Sequence, residues 1–81
     1  MTARTKEERY IIRLYELAQA AGDIDHRVNK YQLGQSINMS PKLVNAICKV
    51  LMRTNFIKFA DNDQIYITRN GKNLAKTLLE E

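Results

Sequence analysis

From Thr5 to Ala21 the residues Tyr10, Leu14, Leu17, Ala18 and Ala21 recur mostly three or four apart, which places one apolar stripe on a helix. Thr5, with Glu8 three residues on, is the reciprocal capping pair that opens such a helix, and Gly22 stops it. Ile12 stands off this stripe and is expected to be exposed. A second, shorter helix begins at the cap residue Asn29 and ends at Ile37. Gln32 is placed to reach back to the cap, and Val28 to pack against Leu33.

Helical spacing is then interrupted by Asn38-Met39-Ser40-Pro41. Asn tolerates the left-handed backbone that ends a helix, Ser caps the next one, and Pro suits a first turn where no N–H is needed. The interruption is a built turn. The third helix runs from Pro41 to about Thr54, with about 100° between successive side chains. Leu43, Val44, Ile47, Cys48, Val50, Leu51 and Met52 take a wide apolar sector. Lys42, Asn45, Ala46, Lys49 and Arg53 are left on a narrow exposed stripe.

Beyond it, Ile57, Phe59, Ile65 and Ile67 alternate with Lys58, Ala60, Gln64 and Tyr66, the period of a half-buried hairpin. Pairing Ile57 with Ile67 and Phe59 with Ile65 puts all four on one face and leaves Asp61-Asn62-Asp63 as the turn. Thr68 caps a last helix with Leu74, Ala75, Leu78 and Leu79 facing inward. Its end carries Glu80 and Glu81, which the helix dipole disfavours, so it is expected to fray. The fold class is therefore mainly α with a small β-hairpin (α+β), in the order helix, helix, helix, strand, strand, helix.

A chain of 81 residues holds one small domain with one core, here residues 1–81, and leaves no room for a separate ligand-binding domain. Its net charge of +4 suits a polyanionic partner without requiring one. The single cysteine, Cys48, excludes an internal disulfide, and no Cys/His cluster has zinc spacing. The charged start and the lack of any apolar run near the roughly 20 residues of a membrane span predict a soluble, cytoplasmic protein with no membrane partner.

Gly34, Asn38, Met39, Val44 and Ile47, with Leu33 and Ile37, match the small, turn and core positions of a helix-turn-helix. "NFIKF" and "IYITRNGKNLA" then resemble the entry to and exit from a wing, with Asn55 where the family usually has Gly. Over roughly residues 7 to 79 the chain resembles the winged helix-turn-helix family, with the helix-turn-helix at 30–54 and the wing at 56–68. The resemblance implies a transcriptional regulator that binds double-stranded DNA with its third helix in the major groove. Ser40, Lys42, Asn45, Ala46, Lys49 and Arg53 would then face DNA, joined by Lys30 and Lys58 at phosphates. It further implies a homodimer on a palindromic site, for which the exposed Ile12 and the ends of the first and last helices are the expected contact.

The same fold also serves as a protein–protein interaction module in larger assemblies, so a protein partner stays open. Ile12, off the main apolar face of the first helix, and Leu43 and Val50, at the margins of the stripe, favour it. No catalytic set or phosphate-cradling Gly loop is present, and the chain is not expected to be an enzyme or to need a cofactor. Cys48 falls in the apolar sector and reads as core, and His26 has no neighbouring ligand for a metal. Asp61-Asn62-Asp63 reads as a turn, not a calcium loop, and its charge opposes a deep groove contact by the wing tip.

Overall fold

The computed structural model describes residues 4–23 and 25–80. Its elements are α1 (Lys6–Ala21), β1 (Val28–Asn29), α2 (Lys30–Ser36), α3 (Pro41–Arg53), β2 (Ile57–Phe59), β3 (Gln64–Ile67) and α4 (Arg69–Leu79). The protein is mostly α with a small three-stranded antiparallel sheet in the order β1-β3-β2. β1 is absent from the hairpin expected above, because two residues are too few to show an alternation. It is defined by pairing Val28 with Ile65 and Asn29 with Gln64. The expected register of the other pair holds, Ile57 facing Ile67 and Phe59 facing Ile65.

The caps follow the side chains that supply them. Thr5 Oγ1 accepts from the Glu8 amide at 3.1 Å while Glu8 Oε1 accepts from the Thr5 amide at 2.7 Å, and Gly22 closes α1 at φ 69°. Asn29 caps α2 with its own Oδ1, which takes the amides of Tyr31 and Gln32, while the Gln32 side chain stays exposed. Ser40 Oγ accepts from the Leu43 amide at 3.2 Å, with Pro41 in the first turn of α3. At the end of α4 the Arg4 guanidinium donates to the Leu78 carbonyl at 2.9 Å, a cation set against the dipole where fraying is expected. Glu81 lies outside the described residues.

One apolar core joins all four helices to the sheet. α1 touches the other three helices and β3, so it buries more than one stripe. Tyr10, Ile11 and Leu14 are fully enclosed, and Ile12, expected outside, is only 8% exposed. Ala21, in the last turn, is outside instead. α3 packs against α1, α2 and β2 through Val44, Ile47, Cys48 and Leu51. Its apolar sector is narrower than expected, because neighbours cover one side only. Val50 is 42% exposed and Met52 44%. Phe59 and Leu79, also expected inward, are both 44% exposed, since each ends its element beyond the reach of the core.

Two close approaches need glycine. A Cβ at Gly34 would run into Val44 Cγ2, so α2 and α3 meet as near as backbone and side chain allow. A Cβ at Gly71 would run into the Phe56 carbonyl oxygen, where α4 lies against the start of the hairpin. Asn38 at φ 61° and Asn55 at φ 65° take the left-handed conformation at the two ends of the α3 segment. Among the described residues no helix is long and apolar enough to cross a membrane.

These environments rank the glycines. Gly71→Ala meets a backbone carbonyl that cannot rotate aside, and should cost about 3 kcal/mol, the upper end of overpacking, despite the better helix propensity of Ala. Gly22→Ala meets open space, where only the left-handed backbone opposes it, and should cost about 1 kcal/mol. Urea unfolding of the two variants checks both the order and the gap.

Candidate nucleic-acid interface

α3 is held by its buried side, and that setting decides what it presents outward. With Val44, Ile47, Cys48 and Leu51 inside, Lys42, Asn45, Ala46, Lys49 and Arg53 are all exposed, as the spacing predicts. Lys42 and Arg53 are eleven residues apart, so the stripe runs about 16 Å along the axis. Ser40 is exposed at the head of the helix with its oxygen engaged in the cap.

Lys30 joins this face from α2. Its ammonium lies 5.0 Å from the centre of the Tyr31 ring and 5.3 Å from that of Phe59, held between two aromatic faces. The Tyr31 hydroxyl donates to Asn45 Oδ1 at 3.1 Å. That bond fixes the Asn45 amide and leaves its NH2 group and one lone pair for another partner. Phe59, Met52, Lys49, Ala46 and Asn45 line one open hollow of about 440 Å³ between α3 and β2. Lys58 does not join them. Strand alternation turns it to the other face of the hairpin, where it lines a separate surface with Asn55, Tyr66, Thr68 and Arg69.

Sequence reasoning assigned Met52 and Phe59 to the core and gave Tyr31 no role. The contacts that make them part of this face are between elements, Tyr31 and Asn45 being 14 residues apart. A signal for the face as a whole does lie in the sequence. From Val28 to Ala60 there is no Asp or Glu, whereas Lys30, Lys42, Lys49, Arg53 and Lys58 all fall there. The rest of the chain carries all nine acidic residues and is net negative. The excess positive charge of the chain is thus concentrated in this one segment.

Behind the face, the Tyr10 hydroxyl donates to the Lys30 carbonyl at 2.9 Å and accepts from the Cys48 thiol at 3.4 Å. Burial pushes the titration of both Tyr10 and Cys48 upward. Cys48 is fully enclosed, so it is a core residue, as its place in the apolar sector predicts. No family model matches the chain, and no curated protein matches it.

The raised values have a consequence for stability. The folded state holds both protons more tightly than the unfolded state, so the unfolded chain ionises first as pH rises. Stability is therefore full below the ordinary thiol value of 9.0 and declines as pH climbs through it, then further past the ordinary tyrosine value of 10.0. Chemical denaturation from pH 7 to 10.5 should show this fall. Cys48→Ala should remove its first part and leave the part due to Tyr10.

Proposed function

We propose that the chain is a winged helix-turn-helix protein that binds duplex DNA and regulates transcription, with α3 lying in the major groove. The observation that carries this reading is the close packing of α2 on α3 at Gly34, which turns the stripe Lys42, Asn45, Ala46, Lys49 and Arg53 outward within a segment free of acidic residues. In this reading β2 and β3 form the wing, and Asn55 supplies at φ 65° the backbone for which the family uses Gly. Lys30, Lys42, Lys49 and Arg53 serve phosphates, Ser40 adds a hydroxyl at the head of the helix, and Asn45 and Ala46 face base edges. Lys58, on the far side of the hairpin, is at most a peripheral contact.

One recognition helix reads only a few base pairs, so specificity calls for two protomers on a palindromic site. Ile12 lies in the core and cannot join them; α4, with Leu79 exposed, is the available surface. A second reading, in which the same face docks on a protein, is favoured by the exposed Val50, Met52 and Phe59 beside the stripe.

Salt and substitution separate the two readings. Four phosphate contacts predict a log–log slope of affinity on salt near −3.6 per protomer, from about −0.9 per phosphate. Lys49→Ala should flatten it by about one, and Lys58→Ala should leave it unchanged. Asn45→Ala should cost about 1–3 kcal/mol on a selected site and almost nothing on random DNA. Equal losses on both DNAs would mean that Asn45 is no base reader, and a slope near zero would leave the protein-docking reading.

A further inference from the structure

We propose that the hollow between α3 and β2 seats the C5-methyl group of a thymine, beside an adenine edge met by Asn45. This rests on the DNA-binding reading above and gives that reading a base preference. Four large apolar residues are conspicuously exposed among the described residues, and two of them, Met52 and Phe59, line this one hollow with Ala46. Water is a poor occupant of such a surface. In the major groove the thymine methyl is the one apolar group that a standard base pair presents, so an apolar recess on a groove-reading face has a defined counterpart there.

The surroundings favour a nucleic acid over an apolar protein plug. The rim carries Lys49 and the stacked ammonium of Lys30, and no acidic residue occurs on α2, α3 or β2. The Lys30 ammonium lies 5.3 Å from the centre of the Phe59 ring, so a cation stands directly against one wall of the hollow. At the edge of the hollow Asn45 has its Oδ1 tied to Tyr31 and its NH2 free. The remaining lone pair and the two N–H groups match the N6–H and N7 of adenine, which share the groove with the methyl of the paired thymine.

The test uses the full chain and a duplex obtained by selection from random sequence. Each thymine is replaced singly by uracil, which deletes only the methyl. One position per protomer should then lose about fourfold in affinity, the effect expected for one buried methyl-sized group, with the others unchanged. Phe59→Ala and Met52→Ala, both at exposed positions, should each bind the thymine and uracil duplexes nearly alike, whatever their overall affinity. Tyr31→Phe keeps the ring over Lys30 and should relax the preference for adenine opposite the sensitive thymine. If every uracil duplex binds as well as its parent, or if the sensitive thymine stays sensitive in both hollow variants, the methyl seat is wrong while DNA reading stands. If no duplex is selected at any salt concentration, the seat and the DNA-binding reading both fall.

Discussion

The contact between Gly34 and Val44 sets the rest of the exposed face. Without a side chain at Gly34, Val44 enters the surface of α2, and the Met39 amide closes the turn by donating to the Gly34 carbonyl at 2.8 Å. Asn38 gives the chain its left-handed step between the two helices. Once Val44 is fixed beneath α2, the rotation of α3 about its axis is fixed as well. Residues 45 and 46 must point out if 44, 47 and 48 point in. Exposure of the polar stripe is thus a mechanical result of how the core is packed.

Behind that contact stands a small polar chain inside an apolar core. Tyr10 is enclosed, yet its hydroxyl has both a donor in Cys48 and an acceptor in the Lys30 carbonyl. A tyrosine at this depth is tolerable because its polar end is satisfied. The bond also ties the first residue of α2 to the N-terminal half of α1. The backbone of Lys30 is therefore anchored from inside, and its Nζ is steadied from outside by two rings.

Much of this was legible from spacing. Thr5, Asn29, Ser40 and Thr68 marked the four helix starts, Asn38 and Gly34 marked the turn and the crossing, and the hairpin register followed from Ile57, Ile65 and Ile67. What escaped has a common physical reason. A periodicity states which side of an element is apolar, but the number of neighbours around that element decides how much of the side is covered. α1 is surrounded, so Ile12 is buried; α3 has an open flank, so Met52 is bare; β2 ends beyond the core, so Phe59 is too. Neither β1 nor the Tyr31–Asn45 bond leaves any local trace, because each is made by residues distant in sequence.

The segregation of charge reaches further than the contacts it surrounds. With five cations and no acid from Val28 to Ala60, and nine acids against eight cations elsewhere, the net charge of +4 is carried by that one segment. In the field of any extended polyanion such a body experiences a torque before it experiences a contact. Within a Debye length, about 10 Å at 0.1 M salt, the basic segment is drawn forward while the near-neutral remainder is not. Fewer collisions are then wasted on the wrong orientation, and encounter is faster than the overall charge alone would suggest.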